Sequence, residues 1–419
     1  MKKGTRSYNV LDLFSGAGGL SLGFTQAGFS VVGAVEFWAP AVLTFEKNHP
    51  STRMIHGDIR SSAVQQQIYE LHLEKNIDVV IGGFPCQGFS MAGNRDPLDS
   101  RSQLYQEYLK VVAALRPKLF LMENVKGLAS MKVIPPDLPG RDVTYLQENL
   151  RKIKRYKDLK RYKAQRDLDD KEACEFDALK DEVVSLQQEI EAVRVPLLPI
   201  IEDEIRTLGY KPKHEILNAT NHGSAQNRER IFIVAIRNDI TKDFTFPSPS
   251  VSKPVTARER IADLENIPDG SIPNHDFTDH NAKFVKRLAK VKPGETLYKY
   301  SDAWWRLLPD APSRTVKENH GAVFIHYNKN RVITPREMAR LQDFPDEFVF
   351  EGSKSLVLKQ IGNAVPVRLS NAMAESIKKY LDARGINTDA AIPSKRNKEG
   401  KKKTKSQGSS ISSSMESKS

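Results

Sequence analysis

The sequence predicts an α/β fold with its ligands gathered along one rim of a sheet, and three observations carry that prediction. Short apolar runs alternate with helical patterns through residues 1–125. Each run is followed by residues able to do chemistry. The pattern resumes after an interruption, from Leu208, and includes the buried-strand run IFIVAI.

The first five strands are expected at Val10–Phe14, Val31–Val35, Met54–Ile55, Ile77–Ile81 and Leu119–Met122. Their followers are, in order, SGAGG, Glu36, GDI with Asp58, GGFPCQ and ENV with Glu123. In open α/β sheets, ligands sit outside the carboxyl ends of the strands. Glycines, three carboxylates and a thiol therefore converge on one rim.

Residues 131–200 interrupt the pattern. Phe176, Leu179, Val183, Leu186, Ile190, Val193 and Leu197 are spaced alternately by three and four, a heptad seam. Leu146, Leu150, Ile153 and Tyr156 keep a shorter version. Residues 151–166 hold nine basic side chains and one acid, and residues 167–191 hold ten acids and two bases. Opposite charge in consecutive helical stretches predicts an antiparallel hairpin turning near Asp169–Asp170; one long solvated helix is the alternative. Cys174 falls on its outer face and is given no chemical role.

Residues 241–330 are rich in Pro, Gly and Asn and contain the aromatics Tyr298, Tyr300, Trp304 and Trp305, the mark of a smaller loop-rich domain. TPREMARLQ starts a helix with Thr334 as cap and Pro335 in the first turn. A second helix is expected from Val367 to Ala383. Six divisions follow: 1–130, the first part of the α/β domain; 131–200, a helical hairpin; 201–240, the α/β domain continued; 241–330, the loop-rich domain; 331–385, returning helices; and 386–419, a disordered basic tail.

Composition narrows the class. The 419 residues carry a net charge of +12, and residues 394–419 alone hold eight Lys or Arg against two Glu. A basic body and a basic arm both suit nucleic acid without specifying it. No apolar run is long enough for a membrane span, and no signal-type stretch opens the chain. Two cysteines cannot build a disulfide framework or a multi-cysteine zinc site, so an intracellular setting and no metal are expected.

Phe14-Ser15-Gly16-Ala17-Gly18-Gly19 leads from a strand into a helix, where glycines let a ligand approach the backbone. Glu36 lies 18 residues beyond Gly18, placed to meet a ribose hydroxyl. The position three beyond Gly18 is Ser21, which departs from the dinucleotide fingerprint. Cys86 stands in a Gly/Pro loop off a strand end, where a thiolate is presented as a nucleophile; the plain alternative is a buried small hydrophobe. Arg228 and Arg230 alternate at a strand start and are expected on one face, as charge stabilisers or as a surface ladder with Glu229.

In this order the residues resemble the DNA (cytosine-5) methyltransferases. DLFSGAGGLSLGF is similar to the family's cofactor loop, GGFPCQGFS to its catalytic loop, ENV to its glutamate motif and QNRERIFIVA to its arginine motif. RVITPREMARLQDFPDEF and QIGNAVPVRLS resemble its last two motifs. The segment before RVITPRE corresponds to the target-recognition region. One departure is His222-Gly223-Ser224-Ala225, where the family usually has tyrosine, glycine, valine and proline.

The resemblance implies a Rossmann-like, seven-stranded doubly wound sheet with a late antiparallel strand, and an S-adenosylmethionine-dependent enzyme methylating C5 of a flipped cytosine in duplex DNA. Its implied catalytic residues are Cys86, adding to C6, Glu123 at N3, and Arg228 and Arg230 at the exocyclic oxygen. The implied cofactor pocket comprises Phe14, Ser15, Gly16, Ala17, Gly18, Gly19, Glu36, Phe37, Asp58, Ile59, Pro85, Leu104, Asn363 and Ala364. Family habit further implies a cytoplasmic, nucleoid-associated bacterial modification enzyme, monomeric, with a restriction endonuclease acting at the same site as its partner.

Three rivals remain open at this stage. A nicotinamide-linked oxidoreductase explains the glycine turn and Glu36 but gives Cys86, Glu123 and QIGNAVP no task. A tRNA-modifying relative shares the cysteine and glutamate chemistry, but about 90 residues between the arginine motif and RVITPRE favour DNA. A catalytically inactive DNA-binding regulator would need neither Cys86 nor Glu123. The arm at 131–200 is expected either to grip DNA or a partner through its basic face, or to be a solvated decoration.

Overall fold

The computed structural model describes residues 7–85, 104–134, 143–240, 242–298, 304–317 and 324–383. Cys86, Tyr300 and the tail 386–419 lie outside the described residues. Strands β1 (Asn9–Leu13), β2 (Ser30–Glu36), β3 (Arg53–His56), β4 (Val79–Gly82) and β5 (Leu119–Val125) alternate with helices α1 (Gly19–Gln26), α2 (Ala39–Asn48), α3 (Ser62–Lys75) and α4 (Leu104–Leu115). The chain continues through the short strand β6 (Lys132–Val133), helices α5 (Val143–Lys163) and α6 (Asp170–Val193), and β7 (Val195–Pro196), which pairs with β6. Helix α7 (Leu197–Thr207) and strands β8 (Tyr210–Asn218) and β9 (Glu229–Arg237) complete the sheet.

The spatial order is β3-β2-β1-β4-β5-β9-β8, with β9 antiparallel to both its neighbours. This is the expected seven-stranded sheet with a late antiparallel strand. Both faces are covered, so the strands read as unbroken apolar runs. Val79, Ile81, Leu119 and Leu121 pack towards α1 and the C-terminal helix, while Val80, Phe120 and Met122 pack towards α3, α4 and α7. The order reverses between β1 and β4, and a ligand crevice opens at such a switch point. The glycine loop leaves β1 there and the Gly82-Gly83-Phe84-Pro85 segment leaves β4.

Glu123, Asn124 and Val125 lie inside β5, where the sequence placed them just beyond a strand. The parallel ladder with β4 stops at Met122 opposite Gly82, but β9 carries the pairing on to Val125 opposite Arg230.

Helices α5 and α6 run antiparallel. Phe176, Leu179, Val183, Leu186, Ile190 and Val193 are buried against Leu146, Ile153 and Leu159, and Tyr156 stacks on Phe176 with ring centroids 5.1 Å apart. Asp169 begins α6 through a reciprocal capping box with Glu172. Cys174 is exposed.

The region after residue 241 has the short helices α8 (Ala257–Ile261) and α9 (Ala282–Leu288) and isolated bridges among its described residues. Trp305, Leu307, Val316 and Phe324 form its core with α10 (Pro335–Leu341) and α11 (Lys354–Asn363). Thr334 caps α10 in a box with Glu337. The sequence reading missed α11: Gly362 and Asn363 read as helix breakers, yet they form its last turn, held by buried Val357, Gln360 and Ile361. Helix α12 (Val367–Asp382) then returns to α1, where a β-carbon on Gly23 would lie 2.3 Å from Ser370 Oγ. No helix among the described residues is long and apolar enough to cross a membrane.

Candidate active site

The loop after β1 is shaped by backbone conformations that side chains resist. Phe14, Gly16 and Gly18 have φ of 57°, 55° and 96°. A β-carbon on Gly18 would sit 2.3 Å from His49 Nε2, and one on Gly19 2.7 Å from the Val365 carbonyl oxygen and 3.3 Å from the Ala364 β-carbon. The segment containing Ala364 thus closes directly on the glycine loop from more than 340 positions along the chain. Asn363 is exposed and Ala17 buried beside them. Ser15 Oγ is buried without a hydrogen-bond partner.

Glu36 binds this loop. One carboxylate oxygen accepts from the Gly16 N–H at 2.8 Å, and the other from the Phe37 and Trp38 N–H groups at 2.9 and 2.7 Å. Burial raises its pKa, against the lowering effect of these three donors. Phe37 is 70% exposed beside it, a large apolar ring held in the open. Asp58 is ion-paired to Arg60 at 2.6 Å, chiefly through hydrogen bonds that lower its pKa, while Ile59 is buried. Leu104 and Phe14 pack half-buried on the core beneath the rim, and Pro85 is half-buried at the last described position before Cys86.

At the end of β5, Glu123 Oε1 lies 2.9 Å from Arg230 Nε, with both side chains nearly buried. Burial raises the Glu123 pKa, and Arg230 and then Arg228 oppose the rise. The outcome is a carboxyl that holds a proton more readily than a solvated one, oriented by a guanidinium. Gly83 makes room for it: a β-carbon there would meet Glu123 Oε2 at 2.8 Å. Asn124 donates its side-chain N–H to the Phe84 carbonyl at 3.1 Å, tying β5 to the segment that leads to Cys86.

Arg228 lies near enough to Glu123 and Arg230 for its charge to act on both, but its donors reach elsewhere. It precedes β9, is 2% exposed, and donates to the carbonyls of Val316 at 2.6 Å and Gly362 at 2.9 Å. It joins the sheet to the loop-rich region and to α11. Gln226, which the sequence reading quoted but gave no role, joins the same junction: it donates to Leu341 O and Gln342 Oε1 and accepts from the Val316 N–H. His49 was also missed. Burial pulls its pKa down to about 4, so a neutral ring backs Gly18. Nothing in single-residue spacing marks the histidine that follows α2 as the floor of a loop 31 residues earlier. Among the described residues, no His, Cys, Asp and Glu cluster has the makings of a metal site.

The chain as a whole is similar to known proteins. The family model described as C-5 cytosine-specific DNA methylase matches residues 8–134 and 194–379 and omits the helical arm between them. The type II methyltransferase M1.HphI of Haemophilus parahaemolyticus is 31% identical over 389 residues, covering 89% of this chain and 87% of that protein. The type II methyltransferase M.NgoPII of Neisseria gonorrhoeae is 31% identical over 397 residues, covering 89% and 96%. Among solved structures, an Escherichia coli prophage-encoded protein described as a DNA modification methyltransferase aligns with a TM-score of 0.63 at 26% identity, covering 90% of this chain and all of that one. With the family model spanning both halves of the sheet and the loop-rich region, the chain belongs to the C-5 cytosine-specific DNA methylases.

Proposed function

We propose that the enzyme transfers a methyl group from S-adenosylmethionine to C5 of a flipped cytosine within a specific duplex DNA sequence, through a covalent bond between Cys86 and C6. The observation that carries this reading is the buried Glu123–Arg230 pair at 2.9 Å, next to the segment that leads to Cys86. The relatives are named type II methyltransferases, which supports a modification role in a type II restriction-modification system; an endonuclease of the same specificity would be the partner in such a system. A monomer acting in the cytoplasm fits this role.

The glycine loop fits the cofactor: positive-φ glycines backed by His49 leave its surface open, and Ser15 Oγ is a buried polar atom in need of a partner. S-adenosylmethionine would supply an electrophilic methyl group, held by Phe14–Gly19, Glu36, Phe37, Asp58, Ile59, Pro85, Leu104, Asn363 and Ala364. The reacting carbon of cytosine is inaccessible in a stacked duplex, so the base must enter the pocket.

The Cys86 thiolate bonds to C6, and the C5=C6 electron pair moves to C5. Glu123 holds the proton at N3, which keeps the ring from accumulating negative charge. Arg230 orients Glu123 and faces the charge that develops on the exocyclic oxygen. Arg228 acts one step back, fixing the recognition region and α11 against the sheet. Once C5 carries the methyl group, loss of its proton restores the double bond and expels the thiolate.

The test is methyl transfer from labelled S-adenosylmethionine to unmethylated duplex DNA and to tRNA, with Cys86→Ser as control and bisulfite mapping of the product. Label in DNA cytosine that disappears with Cys86→Ser is the expected result. Label in tRNA alone would overturn the substrate, and cofactor binding without label would overturn the catalytic reading.

A further inference from the structure

Helices α5 and α6 divide their charges unevenly. Along the edge facing α6, Lys152 of α5 is matched with Glu182 and Arg155 with Glu175, and in the turn beyond α5 Arg166 pairs with Glu172. Arg151, Lys154, Lys157 and Lys160 are exposed, and no acidic side chain among the described residues lies within ion-pair distance of them. An ordinary solvated helix mixes both signs around its surface. Here four unmatched bases recur every third residue within ten residues of α5, whereas the exposed acids of the two helices without an ion pair among the described residues, Glu148, Asp170, Asp177 and Asp181, lie nearer the root or on α6.

The root of the arm is tied to the reacting strands. Lys132 of β6 comes nine residues after Glu123, and Lys126 between them pairs with Glu229, the neighbour of Arg230. Strand β7 closes the root against β6, and Lys132 also pairs with Glu191 of α6. The family model leaves the arm out, so the fold and chemistry of the family do not require it. Twenty-one residues make α5 about 32 Å long, the length of about nine base pairs at 3.4 Å each.

We infer that the neighbouring exposed bases Arg151, Lys154 and Lys157 on the outer side of α5 lie along the phosphate backbone of DNA flanking the target cytosine and add sequence-independent affinity there. The inference rests on the DNA-methylating reading. A row of point charges without aromatic or hydrogen-bonding partners recognises a polyanion and not a base sequence.

The experiment measures binding of the full-length protein at several salt concentrations. It uses two duplexes carrying the cytosine that the wild type methylates, one of about 12 and one of about 40 base pairs, the longer reaching past the arm. The wild type should show a steeper dependence of log K on log salt with the longer duplex. In R151Q/K154Q/K157Q the slope on that duplex should fall by about 2 to 3, at roughly 0.9 per phosphate contact, and affinity by about tenfold or more. Binding and turnover on the shorter duplex should not change, and R151K/K154R/K157R should restore the long-duplex slope. Unchanged slopes on both duplexes, or equal losses on both, would overturn the inference in favour of a solvated arm or a protein partner. Failure of the wild type to bind either duplex would remove the enzymatic reading itself.

Discussion

Glu123 and Arg230 meet diagonally across the join between β5 and β9: the register sets Glu123 opposite Phe232 and Val125 opposite Arg230, yet Glu123 Oε1 and Arg230 Nε are 2.9 Å apart. Diagonal neighbours on one sheet face are within reach of long side chains. The antiparallel direction of β9 is therefore what assembles the pair, because it brings an arginine from late in the chain to the carboxyl end of a parallel strand.

Glu123→Gln should lower kcat by about 10²–10⁴, the usual share of a general acid, with little loss of DNA affinity. Because the Glu123 pKa is raised, its proton persists above the ordinary carboxyl range and is lost as pH climbs through the raised value. Wild-type kcat should therefore show a falling limb that Glu123→Gln lacks. A profile with the same limb in both would assign it to another group.

The two arginines should separate by assay. Arg230→Ala should depress kcat while leaving melting nearly unchanged. Arg228→Ala breaks two charge-assisted bonds to buried carbonyls and should cost about 3 kcal/mol or more of stability, read as a lowered denaturation midpoint. Arg228→Lys should not rescue it, since a single ammonium cannot span the Val316 and Gly362 carbonyls as the forked guanidinium does.

The sequence made the rim of the site readable because strand ends are local features: a run of apolar residues stops and Glu36 or the glycine loop follows. What it hid was set by contacts between distant segments. Arg228 and Arg230 look equivalent two residues apart, and only the carbonyls of Val316 and Gly362 assign one to a junction and the other to Glu123. The heptad seam exposed the α5–α6 pair because its spacing repeats for several turns, whereas α11, with Gly362 and Asn363 in its last turn, lacked that length of pattern. His49 and Gln226 act through burial, which no spacing encodes.

Gly18→Ala should weaken S-adenosylmethionine binding by about tenfold or more, measured by calorimetry, since alanine resists φ near 96° and its methyl would collide with His49. Adding His49→Ala removes the closest collision but leaves Phe45 Cδ2 at 2.9 Å and the backbone strain, so the double variant should recover only part of the affinity. Full recovery would show that space alone matters at this position.

Asp343 offers a pH test away from the reacting groups. Its side chain is 1% exposed, between Arg260 at 3.5 Å and Arg368 at 3.7 Å, and burial raises its pKa to about 6 despite both arginines. A carboxyl whose folded pKa is raised binds its proton more tightly when folded. Its contribution to stability is thus fully present below the unfolded value near 3.8 and is lost as pH rises to about 6. Two pKa units correspond to roughly 2–3 kcal/mol. Asparagine tolerates the φ of 66° at this position, so Asp343→Asn keeps the backbone and removes the titration. Between pH 4 and 6 the unfolding free energy of the variant should fall less steeply with rising pH than that of the wild type, by about this amount across the window. Parallel curves would mean that the two arginines hold Asp343 ionised throughout, as a buried salt-bridge hub between α8 and α12.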